Sequence, residues 1–188
     1  VNSARGTRFA LVGLPDNAVR ESHERIMAAI QNSGYEFPTQ QITINLAPAD
    51  IRKEGSAYDL PMAVGILATK DLVKSDQFHR YMMLGELSLD GSILPVRGAL
   101  PIAIKARELG YEGLIVPEEN VREAAVVNKL KVYGVRHMNQ VLAHLNGIHP
   151  LEPEFVDTRA EFYAHQTDFE ADFADVKGQQ QVKRAMEV

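Results

Sequence analysis

The sequence predicts an α/β fold. Short strand-like runs recur between residues 8 and 135, helical periods with their own start and stop residues separate them, and glycine or proline punctuates nearly every junction. Of 188 residues, 45% are apolar and 24% charged, the range of an ordinary globular chain. That balance excludes a disordered tail, a collagen and a mucin-like stalk. One domain with an appendage is expected, large enough to bury a core without staples.

RFALVGLP (8–15) reads as a strand ending in a Gly/Pro turn. Asp16 or Asn17 caps the helix that follows, where Val19, His23, Ile26, Met27 and Ile30 recur at helical spacing until Gly34. QITINLA (41–47) alternates Ile42, Ile44 and Leu46 with polar residues, as a strand with one buried face does. After a polar loop, Asp59 is the expected N-cap of a helix running toward Leu72, with Pro61 in its first turn, where the missing N–H costs nothing. YMMLGELSL (81–89) reads as one strand, Asp90-Gly91 as a hairpin turn and SILPV as the return. ALPIAIKAREL (99–109) is a helix stopped by Gly110, and GLIVP (113–117) a short buried strand. PEENVREAAVV opens a helix with acids in its first turn, where they complement the helix dipole. KVYGV (131–135) is a further strand, and MNQVLAHLNG closes the pattern as a helix.

From His149 the periodicity is lost among prolines, acids and scattered aromatics. The expected organisation is therefore a domain over 1–147, a linker over 148–172, and over 173–188 the truncated start of another module. The first residues, VNSARG, enter a strand so directly that the start reads as cut as well.

Residues 1–150 carry sixteen acids and sixteen Lys or Arg, so the net charge of −5 lies wholly in 151–188. A neutral main body argues against a broad phosphate-neutralising footprint. The absence of Cys excludes disulfides, thiolate metal sites and a Cys nucleophile. No apolar run reaches the ~18 residues that span a bilayer, and no leader pattern is visible. A cytoplasmic protein with no membrane partner is expected. No GxxxxGK[ST] phosphate loop occurs, so no cofactor is expected in this chain. The six His residues show no metal-ligand spacing; His137 and His144 merely fall on neighbouring turns. Arg5, Arg8, Arg20 and Arg25 could line a nucleic-acid path, though a solvated face accounts for them as well. Glu118, Glu119 and Glu123 read as dipole complement, and Asp59 as a cap.

Three stretches are more specific than composition. LVGLPDNAVRES (11–22), ITINLAPADIRKEGSAYDLPMAVGILA (42–68) and LGELSLDGSILPVRGALPIAIKARELGYEGLIVPEEN (84–120) closely resemble the N-terminal domain of the ComM-like family of AAA+ ATPases. That family is also known as magnesium-chelatase-related proteins or presumed ATP-dependent proteases. DFADVKGQQQVKRAMEV resembles the lead-in to its ATPase module. The domain is similar in turn to the proteolytic domain of Lon. The resemblance implies the ribosomal-protein-S-five domain-two-like fold, a two-layer sandwich with a mixed sheet, helices on one side and a left-handed βαβ crossover, against the usual hand.

Lon-type peptidases use a Ser nucleophile in a KDGPSAG-like loop and a Lys base after a GGL segment. The Lys must be held near neutral pKa within reach of the hydroxyl. Laid on KEGSAYDLPMA, the nucleophile position is Ala57; laid on LPVRGALPIAIKA, the base position is Leu100. Both halves of the dyad are missing. Ser56 and Lys105 are the nearest substitutes, one residue and five residues away, and a ~1 Å misplacement already costs two orders of magnitude in rate.

The resemblance therefore implies a non-catalytic N-terminal accessory domain of a ComM-like ATPase. The full-length protein would bind ATP and magnesium, assemble as a homo-oligomeric ring, hexameric by the resemblance, and act on DNA in helicase-like branch migration during recombination and transformation. This domain would serve assembly, positioning or DNA contact. Two alternatives stay open: a Lon-like ATP-dependent serine peptidase with an altered site, and a chelatase-type motor subunit.

Overall fold

The computed structural model describes residues 9–73, 75–156, 178 and 184. The chain forms two compact units, Val1–Phe155 and Val156–Val188. Nearly all described residues fall in the first, which is an α/β fold. Arg5, Arg8, most of the expected linker and nearly all of 173–188 lie outside the described residues.

The first βαβ unit is β1 (Phe9–Val12), α1 (Asn17–Asn32) and β2 (Ile42–Asn45). The strands pair in parallel, Phe9 opposite Ile42 and Val12 opposite Asn45. Gly13 follows β1 with φ +109°, and a Cβ there would collide with the Leu46 carbonyl. Only glycine lets the chain turn this close to β2. Asp16 then caps α1, accepting the Val19 N–H at 2.8 Å. Val19, Ile26, Ala29 and Ile30 form the buried stripe of that helix.

The helix α2 (Asp59–Ala68) is apolar almost all round, and Leu60, Ala63, Val64 and Leu67 are essentially inaccessible. It lies in the main core with Ile26, Ile30, Ile115 and Leu142. Two expectations fail here. The helix ends at Ala68, short of Leu72, and Asp59 is no cap: it is the first helical residue, and Tyr58 in the cap position makes no side-chain cap bond. Burial claims Asp59 for an ion pair instead.

A parallel three-stranded sheet takes β3 (Tyr81–Met83), β6 (Gly113–Pro117) and β7 (Lys131–Val135) in the order β3–β6–β7. The central β6 is buried at all five positions, which is why it reads as an unbroken apolar run. The single strand expected over 81–89 divides. Leu84 N–H still bonds Ile115 at 3.1 Å, but Gly85 turns to bond the Ala57 carbonyl at 3.0 Å. Beyond it β4 (Glu86–Leu87) pairs antiparallel with β5 (Ile93–Leu94) across the expected Asp90-Gly91 turn. The fold thus mixes parallel and antiparallel pairing, distributed among the described residues over three small sheets.

The helix α3 (Ala99–Glu108) follows Gly98, which holds φ +82°. The helix expected from Pro117 shrinks to a 3-10 turn at Glu118–Asn120 and one α-turn, α4 (Val121–Ala124). Finally α5 (Met138–Leu145) is capped by His137, whose ring accepts the Asn139 N–H while Gln140 closes a capping box.

Candidate functional site: a cleft between two anchored loops

Residues 54–57 and 95–97 face each other across a cleft of about 360 Å³, with Glu86 also in its lining. Each wall is tied down from behind. Lys53 is buried, and its backbone bonds both Leu14 (3.1 Å) and Asp16 (2.9 Å). Its ammonium donates to the carbonyls of Pro48 and Ile51. The Asp16 carboxylate, besides capping α1, accepts the Gly55 N–H at 3.1 Å. Those N–H donors, Val19 first, hold the Asp16 carboxyl below its ordinary value of 3.8. On the opposite wall, Asn120 accepts the Val96 N–H at 2.9 Å and donates to its carbonyl at 2.8 Å. One buried amide therefore fixes the loop that carries Pro95, Val96 and Arg97.

Below the first wall, Arg25 grips Asp59 through two bonds, Nε to Oδ2 at 2.7 Å and Nη2 to Oδ1 at 3.1 Å. The same guanidinium donates to Ala18 at 2.9 Å, and Leu87 N–H donates to Asp59 at 3.3 Å. Arg25 is thus no solvated-face residue; it pins α1 to the start of α2 and to β4. Burial pushes the Asp59 carboxyl above its ordinary value, against the pull of Arg25.

The residues singled out from the sequence separate clearly. Ala57 lines the cleft and presents a methyl group. The Ser56 hydroxyl, also in the lining, donates to the Glu86 carboxylate. Leu100 is not among the lining residues; it sits in the first turn of α3 and donates its backbone N–H to Glu123 at 3.0 Å. Lys105 is exposed and pairs with Glu108 at 3.0 Å. Among the described residues the cleft therefore joins a hydroxyl to a carboxylate and brings no amine to either.

Glu86 and Arg97 enter the site without having been singled out. Glu86 stands in a segment that reads as strand and turn, and nothing local marks it as the partner of a residue thirty positions away. Glu118 pairs with Arg136, and Glu123 receives α3, so the acidic helix start serves specific contacts as well as solvation. A second, apolar groove of about 480 Å³ lies between β2 and α2, lined by Ile42, Ile44, Tyr58, Met62, Ile66 and others. It offers no charged side chain. Among the described residues no three His, Asp or Glu side chains converge as a metal site, and no helix is long and apolar enough to cross a membrane.

Fold and cleft together define a class, an α/β domain with a cleft held between two anchored loops. The family described as subunit ChlI of Mg-chelatase matches residues 1–120, and the chain belongs to that family. It is 42% identical over 180 residues to the protein YifB of Salmonella typhimurium, covering 96% of this chain and 34% of that one. It is 36% identical over 182 residues to the competence protein ComM of Haemophilus influenzae, covering 96% of this chain and 35% of that one. A Lon protease of Trichlorobacter lovleyi is 28% identical over 148 residues, 71% of this chain and 18% of that one. The chain spans about a third of the length of YifB and ComM.

Proposed function

We propose that this chain is the peptidase-inactive N-terminal accessory domain of a ComM-like AAA+ ATPase that acts on DNA. The observation carrying the reading is chemical: where the likeness to Lon calls for a nucleophile, the cleft has the Ala57 methyl, and no amine stands among its lining residues. An amine base must lie within hydrogen-bond reach of the hydroxyl it activates; Lys105 is instead engaged with Glu108 at the surface. What remains is an accessory domain whose role is assembly, positioning or DNA contact. ATP, magnesium, ring formation and branch migration belong to the full-length protein in this reading, supported by the likeness to a competence protein.

The experiment removes residues 1–147 from the full-length protein and follows ATP hydrolysis together with unwinding of three- and four-strand DNA. ATP turnover should survive, and DNA processing or ring assembly should fall. Normal branch migration after the deletion would refute an accessory role. Metal insertion into a porphyrin by the full-length protein would support the chelatase-type motor instead.

One observation favours a second reading. The Ser56 hydroxyl meets a carboxylate, Glu86, that could take its proton in a serine peptidase with an altered site. Peptide hydrolysis by the pure chain that Ser56→Ala abolishes would establish that reading.

A further inference from the structure

The last segment of the first compact unit runs from the end of α5 along the edge of the parallel sheet. Ile148 and His149 N–H groups both bond the Ala143 carbonyl, at 2.9 and 3.3 Å, which finishes the helix. Beyond Pro150 two backbone bonds hold the strap: Leu151 N–H donates to His144 Nδ1 at 2.9 Å, and Glu154 N–H donates to the Val132 carbonyl at 2.7 Å. The Leu151 side chain packs against the main core, while Phe155 is 76% exposed. One of the two ties therefore depends on an imidazole nitrogen acting as an acceptor.

We propose that His144 is an acid-sensitive latch that holds residues 149–155 against the domain while its ring is neutral and releases them when the ring takes a proton. Because Nδ1 accepts, the neutral ring carries its proton on Nε2. That Nε2 is buried with no hydrogen-bond partner among the described residues. The ring packs against Tyr81 at 5.2 Å and Tyr133 at 5.0 Å between centroids. A second proton has one place to go, Nδ1, where it would confront the Leu151 N–H donor to donor. The bond would be lost and replaced by repulsion.

Among the described residues no carboxylate compensates. Among the described residues the titratable groups against the ring are Tyr81 from β3 and Tyr133 from β7. Beyond the phenols lies the Arg80–Glu112 pair, whose members engage each other at 2.5 Å. Both act on Tyr133, together with Tyr81. On the strap itself His149, Glu152 and Glu154 are exposed, and the Glu154 carboxylate lies beside Gly134. On α5 the other titratable group is His137, two turns away at the cap. Burial accordingly pushes the His144 imidazole below its ordinary value of 6.5. The sign follows: this group's stabilisation is complete above the ordinary histidine value and is lost as pH falls through the lowered one. The strap is closed at neutral pH and opens in mild acid, loosening the chain just ahead of residue 156.

The test uses the 188-residue chain and reads two quantities against pH by NMR, the imidazole nitrogen shifts of His144 and the amide protection factors of Leu151 and Glu154. The expected result is the Nε2–H tautomer at neutral pH. Leu151 protection should then drop about tenfold over the interval in which His144 titrates, the worth of one hydrogen bond, while Ile115 stays protected. In His144→Phe, which keeps an aromatic ring but no acceptor, Leu151 should be poorly protected at every pH. An Nδ1–H tautomer, or Leu151 protection that persists while His144 titrates, would overturn the proposal. The wild-type titration decides alone if the variant does not fold.

Discussion

Asp59 shows how much a single buried charge decides. It is 1% exposed, and among the described residues Arg25 is the cation that bonds it. Breaking such a pair strands a charge, which costs about 3–5 kcal/mol. Arg25→Met should therefore lower the urea unfolding free energy by about 3 kcal/mol at neutral pH. The loss should shrink in acid, and the direction is fixed by the carboxyl. Its folded pKa lies above 3.8, so its contribution is whole below that value and declines as pH rises through the raised one. Without Arg25 the carboxyl rises further, and urea melts of the variant and the wild type should converge as pH falls through the raised values. A pH-independent gap would mean that Asp59 stays ionised without its partner. At the cleft, Ala57→Ser should leave peptide hydrolysis at background, because a hydroxyl there still meets no amine base. A fluorophosphonate probe reads this directly: covalent labelling of the variant would contradict it.

At the scale of elements, Asp16 joins two jobs, capping α1 and holding the Gly55 N–H of the cleft wall. Asp16→Ala should cost about 1–2 kcal/mol in denaturant unfolding, whereas Asp16→Asn, itself a good cap, should recover most of it. Most elements were legible from the sequence, because strand alternation, helical spacing, Asp16 as cap and the Asp90-Gly91 turn are local signals. Where reading failed, a distant contact had overridden the local one. Asp59 looks like a cap until Arg25 arrives from α1, thirty-four residues away. The run 81–89 looks like one strand until Gly85 is drawn to Ala57 and Leu60 at the entry of α2. The helix after Pro117 shortens because Asn120 is committed to Val96, twenty-four residues back. At the site, Ser56 and Ala57 were legible through the likeness to Lon. Glu86 and Arg97 were not, since their place in the cleft comes from sheet and loop packing rather than from any spacing.

For the whole molecule, charge distribution makes its own prediction. Residues 1–150 balance sixteen acids with sixteen Lys or Arg, and the excess acid follows them. Affinity for duplex DNA that rests on phosphate neutralisation should then be weak, and its logarithm should fall with the logarithm of salt by a slope of only about one or two, against the steep slopes of dedicated binders. Fluorescence anisotropy with a labelled duplex across a salt series measures it. A steep slope would show a basic face that the overall balance conceals, and would make DNA contact the domain's leading role.

The packing of Tyr81 and Tyr133 has a practical consequence. Gly113 leaves room for the Tyr133 and Tyr81 rings, which a Cβ would meet at 2.7 and 3.0 Å, and the chain has no tryptophan. Phenol signals are thus not masked by indole absorption or emission. Near-ultraviolet dichroism, which demands a fixed asymmetric setting, becomes a built-in optical gauge of how tightly this edge of the domain is closed, readable in a cuvette without any label.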